Sequence, residues 1–225
     1  MTDFLLIRHG ETDWNKALRF QGQVDVSLNA IGLAQAQRLQ ERVAHSMPGW
    51  LTKGRTPTRV ISSDLLRAQQ TAQPVAQALE CDLVLEEGLR EQCFGCFEGL
   101  CVPEIKVQHP EAWQRWLEFD ANYAVTGAES TQRFHDRVVE AMTRLADQYP
   151  DEHVVVVTHG GVLDMVWRYT QTLSLHGPRV CDIPNAGWNQ VARQDSAWHI
   201  HAWADTTHLG GMPPQPVYRP ANLKA

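Results

Sequence analysis

The chain has 225 residues, 43% hydrophobic and 20% charged, which is enough for one full core and, by length, favours one domain while permitting two. Its formal net charge of -6 repels polyanions, so nucleic acid is excluded as an expected partner. No apolar run approaches a membrane span, and residues 1–10 lack signal-peptide features, which predicts no membrane partner and a cytoplasmic location.

The first half of the chain alternates short apolar runs with helical patterns. The apolar runs predict strands over residues 4–7, 59–62 and 83–85. A helix is predicted over 30–47, with Ser27 or Asn29 as its N-cap, and a second over 64–79, capped by Ser63. This order of strand and helix is typical of an α/β protein.

The second half contains the clearest periodic signals. After Ser130, apolar residues recur at spacings of four, four, three and four until Pro150, which predicts a helix that buries Phe134, Val138, Met142, Leu145 and Tyr149. The valine run 154–157 predicts a buried strand, followed by a turn and a helix. Two closing strands are predicted over 187–193 and 197–203.

These elements predict an α/β fold with a doubly wound, mostly parallel central sheet flanked by helices. We expect one domain over 1–204, in which the irregular segment 98–128 is an insertion over the site, and an extended proline-rich tail over 205–225 without a core of its own. His9 and His159 each come two residues after a predicted strand. Because ligands bind beyond the carboxyl ends of such strands, these two residues are expected to meet at one edge of the sheet.

Several short motifs occur in a fixed order along the chain. The first is Leu-Ile-Arg-His-Gly-Glu-Thr at 6–12, with Asn15 close behind. Further blocks are Gln21-Gly22, Ser62–Ala68, Leu89-Arg90-Glu91, Gly127–Ser130 and Thr158–Gly161. Together they resemble the signature of the histidine phosphatase superfamily, the phosphoglycerate mutase-like proteins. The resemblance extends from Phe4 to about Asn185, and it implies a superfamily and not a substrate.

Phosphoryl transfer needs a nucleophile, donors around the phosphate oxygens and a proton for the leaving oxygen. His9 is the candidate nucleophile, because a neutral imidazole attacks near pH 7 when its other ring nitrogen is held as a donor. Glu91 is the candidate general acid and base, and the resemblance implies the same role. Nearby carboxylates compete for that role, namely Glu86, Glu87 and Glu98.

Arg8 and Arg67 supply fixed positive charge and planar forks that suit phosphate oxygens. His159 completes this clamp if it is protonated or donates a hydrogen bond. Weaker candidates for substrate or phosphate binding are Asn15, Gln21, Gly22 and Gly160, some of them through backbone N–H groups. Asn185 is interpreted as a structural residue. Outside the resemblance, an Arg-His pair after a strand is most often part of a solvated loop.

The cysteines and the remaining histidines do not predict a metal or a cofactor. Five cysteines are too sparse for a disulfide framework, and Cys93, Cys96 and Cys101 lack a second pair with zinc spacing. Their proximity to Glu91 motivates the hypothesis that thiol oxidation lowers activity. His199 and His201 alternate on one strand face, which is typical of a polar sheet face.

The pattern favours a metal-independent phosphomonoesterase that acts on a small phosphorylated metabolite, as a monomer or a homodimer. A cofactor-dependent phosphoglycerate mutase is the first alternative. The resemblance implies that a mutase carries paired arginines and a lysine in its insertion, whereas residues 98–128 offer only Lys106 and Arg115. A non-catalytic module that binds a phosphorylated ligand in the same pocket is the second alternative.

Overall fold

A computed structural model describes residues 1–45 and 57–216 of the chain. Within these ranges it contains six strands, β1 (Thr2–Arg8), β2 (Arg59–Ser62), β3 (Leu83–Leu85), β4 (His153–Thr158), β5 (Trp188–Gln194) and β6 (Ala197–Asp205). The α-helices are α1 (Asp13–Lys16), α2 (Ala30–His45), α3 (Leu66–Leu79), α4 (Val102–Gln108), α5 (Pro110–Trp116), α6 (Thr131–Gln148) and α7 (Gly160–Thr170). None of the helices in the described ranges is both long and apolar enough to cross a membrane.

The strands form one sheet in the spatial order β3-β2-β4-β1-β5-β6. The four strands from β3 to β1 pair in parallel, and β5 and β6 are added antiparallel beside β1. In β1 and β4 the apolar residues are buried on both faces, which explains why each reads as an unbroken apolar run. The predicted mostly parallel α/β fold is confirmed.

Helices cover both faces of this sheet. Residues of α6 and α7 pack on one face in a cluster that includes Phe134, Val138 and Val162. Residues of α2 and α3 pack on the other face, among them Leu39 and Val75. The fold is therefore doubly wound, as the alternation of elements predicts.

The N-cap prediction is confirmed for α2 and wrong for α3, and Ser130 caps α6, which begins where the sequence predicts. The Asn29 side chain accepts from the Gly32 N–H at 2.9 Å, and Ser130 accepts from the Arg133 N–H at 3.3 Å. The predicted start of α3 at residue 64 is wrong, because that helix begins at Leu66 and its N-cap has no side-chain bond. The Ser63 hydroxyl instead lies 2.8 Å from His159, so a tertiary contact replaces the expected cap. The predicted end of the first helix at residue 47 lies outside the described residues.

The segment 98–128 contains α4 and α5, and α5 lies where the sequence predicts a helical stretch, around residues 109–119. Its apolar side chains form a separate small cluster with Phe97, Ile105, Trp113 and Val125 at the centre. Trp116 and Tyr123 from this segment line the large cleft of the molecule. Part of the segment therefore forms a wall of the cleft, and its role as an insertion over the site stays a prediction.

The predicted boundary after residue 204 falls inside β6, which continues through Asp205. A short 3₁₀ turn follows, and its Leu209 is 8% exposed and packs into the cluster on the α2 side of the sheet. The expected extended arm is therefore wrong for residues 205–209. The remaining division into a domain and a tail stays a prediction, and residues 217–225 lie outside the described part.

Candidate active site

A cleft of about 770 Å³ opens beyond the carboxyl ends of β1 and β4. Its polar lining includes all but one of the residues proposed from the sequence, namely Arg8, His9, Asn15, Gln21, Gly22, Arg67, Glu91 and Gly160. Its apolar wall is mainly aromatic, formed by Trp14, Phe20, Phe94, Trp116, Phe119 and Tyr123. His159 is the exception, since it is fully buried, and its ring lies next to that of His9. The cleft thus joins a polar pocket to a surface suited to an organic group.

His9 follows β1, and its ring is almost fully buried, with 2% exposure. The ring Nδ1 lies 2.7 Å from the Gly10 carbonyl oxygen. Because a carbonyl only accepts, Nδ1 carries the proton and Nε2 keeps its lone pair in the neutral ring. Burial, together with the charges of Arg67 and Arg8, lowers the pKa of His9 well below its ordinary value. The ring is therefore neutral near pH 7 and has a nucleophilic nitrogen.

Arg8 and Arg67 hold their guanidinium groups beside His9 through bonds to backbone carbonyls. Arg8 Nη1 donates to Ile183 at 2.6 Å, and Arg67 donates to Gly22 at 2.7 Å and to Val24 at 2.9 Å. Both Nε–H groups are buried and have no acceptor within the described residues. Burial lowers the pKa of each arginine to about 10, so both remain cationic at neutral pH. These cations can stabilise an anion in the cleft.

His159 follows β4, and its ring centroid lies 5.2 Å from that of His9. The predicted meeting of the two histidines is confirmed. Its Nε2 lies 2.8 Å from the Ser63 hydroxyl, and its buried Nδ1 has no partner in the described ranges. Burial, followed by the charge of Arg67, lowers the pKa of His159 well below its ordinary value. The sequence left open whether His159 acts as a cation or as a neutral hydrogen-bond donor. Because its pKa is lowered, the role of neutral donor is favoured at neutral pH.

The Glu91 carboxylate is anchored at the N-terminus of α7. One oxygen accepts from the Gly161 N–H at 3.0 Å, and the other accepts from the Gln92 N–H at 2.9 Å. Its backbone carbonyl accepts from Arg137 at 3.3 Å and from Gln23 at 3.1 Å. Such fixed contacts hold a carboxyl group at one edge of the cleft.

The carboxylates that compete with Glu91 lie elsewhere. Glu86 accepts from the Gly88 N–H, and Glu98 accepts from the N–H groups of Gln23 and Phe94. Glu87 is largely exposed. Among the described residues, Glu91 is thus the one of these four carboxylates that lines the cleft.

The weaker candidates contribute mainly to the shape of the pocket. Asn15 and Gln21 both accept from the Thr12 hydroxyl, at 3.1 and 3.0 Å. Gly22 has a φ of +50°, and a Cβ there would overlap the Glu98 carboxylate. All of these residues except Thr12 and Glu98 line the cleft, which is compatible with substrate binding by Asn15, Gln21 and Gly22.

Sequence reasoning missed Arg179 as a cleft residue, and it interpreted Asn185 as a structural residue without identifying what it holds. Asn185 Nδ2 donates to the backbone carbonyls of His9 at 3.0 Å and Gly10 at 3.3 Å, so this side chain holds the loop after β1. Its own backbone N–H and carbonyl bind the side-chain amide of Gln215. The only sequence signal for either residue was proximity to a turn, because the segment between α7 and β5 has no periodic pattern.

The five cysteines are free thiols. Cys93 lines the cleft, and burial raises its pKa, which lowers its thiolate fraction and its reactivity. His199 and His201 are exposed on β6. Among residues 1–45 and 57–216, no group of three or more metal-ligating side chains is placed to hold an ion.

The fold and the paired histidines at the sheet edge place the chain among α/β proteins with a histidine-centred pocket. The family model described as histidine phosphatase superfamily (branch 1) matches residues 4–206. The chain therefore belongs to the histidine phosphatase superfamily.

Several relatives support this membership. A metal-independent phosphoserine phosphatase of Arabidopsis thaliana is 37% identical over 94% of this chain and 85% of its own length. A probable phosphoglycerate mutase GpmB of Proteus mirabilis is 32% identical over 93% of this chain and 95% of its own. A mycobacterial glucosyl-3-phosphoglycerate phosphatase, solved with VO3, has a TM-score of 0.76 and 29% identity, covering 91% of this chain and 99% of its own.

Proposed function

We propose that this protein is a metal-independent phosphomonoesterase that hydrolyses a small phosphorylated metabolite through a phosphohistidine on His9. The observation that carries the proposal is the 2.7 Å contact between His9 Nδ1 and the Gly10 carbonyl oxygen. The Gly10 carbonyl holds the proton on Nδ1, so Nε2 is unprotonated beside two arginines in a cleft. The phosphatases among the relatives support the same reaction class.

In the first step, His9 Nε2 attacks phosphorus, the N–P bond forms and the ester P–O bond breaks. Arg8, Arg67 and a donating His159 stabilise the charge on the phosphoryl oxygens. Glu91, in its protonated form, gives its proton to the leaving alkoxide oxygen. The products of this step are the free alcohol and the phosphorylated enzyme.

In the second step, water replaces the alcohol. The Glu91 carboxylate takes a proton from this water as its oxygen attacks phosphorus, and the N–P bond breaks. Inorganic phosphate leaves, and His9 is restored with its lone pair on Nε2. The arginines supply the charge stabilisation that a metal ion supplies in other phosphatases.

A phosphoglycerate mutase is the second candidate, because relatives named as probable mutases cover nearly the whole chain. The side chains of segment 98–128 argue against a mutase. Arg115 pairs with Glu118 and stacks on Tyr123, and neither Lys106 nor Arg115 lines the cleft. Arg19 does line it, but its guanidinium donates to Gly99 and Glu104. The cations that the resemblance implies for a mutase in segment 98–128 are thus not in the cleft, which favours hydrolysis over transfer to a second hydroxyl.

Phosphate release from a panel of phosphorylated metabolites, with a chelator present, tests the proposal. We expect selective release, and no 2-phosphoglycerate formed from 3-phosphoglycerate. Isomerisation would identify a mutase. Silence on every compound, together with saturable binding, would favour a non-catalytic module.

The intermediate is tested by rapid acid-free quenching with a 32P-labelled substrate. The His9→Ala variant is expected to lose turnover and labelled protein together, whereas His199→Ala, which removes an exposed histidine on β6, is expected to keep both. Turnover that persists in His9→Ala would place the nucleophile elsewhere.

A further inference from the structure

Arg179 lies in the segment between α7 and β5 and lines the cleft beside Arg8. Both guanidinium groups lie close to Gly160. A Cβ atom at Gly160 would lie 3.5 Å from both terminal nitrogens of Arg179 and 3.3 Å from Nε of Arg8. The two guanidinium groups thus converge on one point at the N-terminus of α7, where the glycine leaves the space open.

The hydrogen-bonding capacity of Arg179 is not used by the described part of the chain. Its Nε–H is buried and has no acceptor there, although the side chain as a whole is 26% exposed. The nearest carboxylate oxygen, Asp164 Oδ1, is 3.9 Å away, which is too long for a hydrogen bond. The other oxygen of Asp164 accepts from Arg168 at 3.1 Å.

The loop that carries Arg179 is braced against α7. The buried Arg168 side chain donates to the carbonyls of Ser174, Gly177 and Pro178. These bonds fix the backbone immediately before Arg179. The guanidinium is therefore presented by an ordered support, which reduces the entropy lost when a ligand binds.

The charges in the cleft indicate what this arginine binds. Arg8 and Arg67 together match the two negative charges of a phosphate monoester. Arg179 adds a third cation beside Arg8, and their repulsion contributes to the lowered pKa of Arg8. Asp164 compensates it incompletely, because this carboxylate also pairs with Arg168. A ligand carboxylate supplies the hydrogen-bond acceptors that Arg179 lacks among the described residues.

We propose that Arg179 binds a carboxylate of the substrate, so that the preferred substrates are phosphate esters of hydroxy acids or amino acids. The planar fork of a guanidinium matches a carboxylate in two parallel hydrogen bonds. Its position beside Arg8 suits a carboxylate attached a few bonds from the phosphate. This assignment rests on the proposed phosphatase function and names the substrate class for it.

The test compares O-phosphoserine with O-phosphoethanolamine, which differ by the carboxylate alone. The quantity measured is the ratio of their kcat/KM values in the wild type, Arg179→Gln and Arg38→Gln. We expect Arg179→Gln to lower the ratio by roughly 10- to 100-fold, the range for a hydrogen bond to a charged group. Arg38 is an exposed arginine on α2, so Arg38→Gln removes the same charge and is expected to leave the ratio unchanged.

The outcomes separate this inference from the proposed function. An equal loss of kcat/KM for both esters, which leaves the ratio unchanged, would show that Arg179 binds the phosphate. Unchanged kcat/KM for both esters would show that it binds neither group, and both results overturn the inference. If the wild type hydrolyses neither ester, phosphate release from the rest of the metabolite panel shows whether the proposed function itself fails. The affinity of both esters is then measured by calorimetric titration into His9→Ala, with and without Arg179→Gln. A loss of affinity for O-phosphoserine alone supports a carboxylate site at Arg179, and equal changes for the two esters refute it. Circular dichroism of each variant checks that it is folded.

Discussion

Replacing Gly161 by alanine is expected to displace the general acid without disturbing the fold. The Gly161 N–H donates to one Glu91 oxygen at 3.0 Å, and a Cβ at Gly161 would lie 2.0 Å from the other oxygen. The Phe134 ring is next nearest, at 3.0 Å. The Glu91 carboxyl is the far end of a flexible side chain, whereas the helix and the Phe134 ring are packed. The carboxyl therefore moves, by about 1 Å or more to restore van der Waals separation.

The size of the effect follows from this displacement. A misplacement of about 1 Å costs about 10²-fold in rate, and a positioned general acid contributes about 10²- to 10⁴-fold. We therefore expect kcat/KM for an alkyl phosphate to fall about 10²-fold in Gly161→Ala and about 10²- to 10⁴-fold in Glu91→Gln. For p-nitrophenyl phosphate the loss is smaller in both variants, because nitrophenolate leaves without a proton. Alanine favours a helix over glycine, so the free energy of unfolding stays within about 1 kcal/mol.

Steady-state kinetics with glycerol phosphate and p-nitrophenyl phosphate measure this difference, and urea unfolding checks the fold. Gly210→Ala is the matched control, because its Cβ would lie 3.5 Å from the nearest atom, an ordinary contact. An equal loss on both substrates in Glu91→Gln would mean that Glu91 does not protonate the leaving group. Undiminished turnover of the alkyl phosphate in Gly161→Ala would mean that the carboxyl position does not limit the reaction.

Two further predictions concern the residues that support the cleft. His208 accepts from Arg42 and donates to the Ala186 carbonyl, and burial lowers its pKa to about 4. As pH falls from 6.5 to about 4, the unfolded state takes up the proton first, so the free energy of unfolding falls by about 1–2 kcal/mol after screening. Urea titrations over this pH range are expected to show a shallower fall in His208→Gln than in the wild type. Parallel pH profiles for the two proteins would contradict this assignment. The Asn185→Ala variant leaves the His9 and Gly10 carbonyls without the donor that Asn185 provides. We expect it to lower the free energy of unfolding by about 1–3 kcal/mol and to lower kcat more than it raises KM. Unchanged kcat in a destabilised variant would limit Asn185 to a structural role.

The centre of the fold was predictable because its strands are buried on both faces. Such strands consist of unbroken apolar residues, and the runs at Phe4–Ile7 and Val154–Val157 are paired neighbours in the sheet. Polar residues that follow parallel strands emerge at the same edge, so the approach of His9 and His159 followed from the sequence. The same reasoning located the cleft at this edge.

The missed features depend on tertiary contacts that leave no periodic pattern. Ser63 has the sequence context of an N-cap, but its hydroxyl faces His159 and α3 begins two residues after the expected start. Proline content predicts an extended arm after residue 204, yet it says nothing about burial, and Leu209 is in the core. Arg179 comes from a non-periodic loop whose conformation is set by Arg168, and that contact is visible only in three dimensions.

The net negative charge of the chain and the positive charges in the cleft affect a ligand over different distances. Net charge of -6 governs the field far from the surface, where salt screens it beyond about 10 Å. Within the cleft, Arg8 and Arg67 are desolvated, and burial lowers the pKa of both to about 10. Their charged form is thus less stable there than in water, and an anion held between them relieves that penalty. Affinity for a phosphate ester therefore originates in cations that the fold buries before the ligand arrives, and it does not require a basic protein.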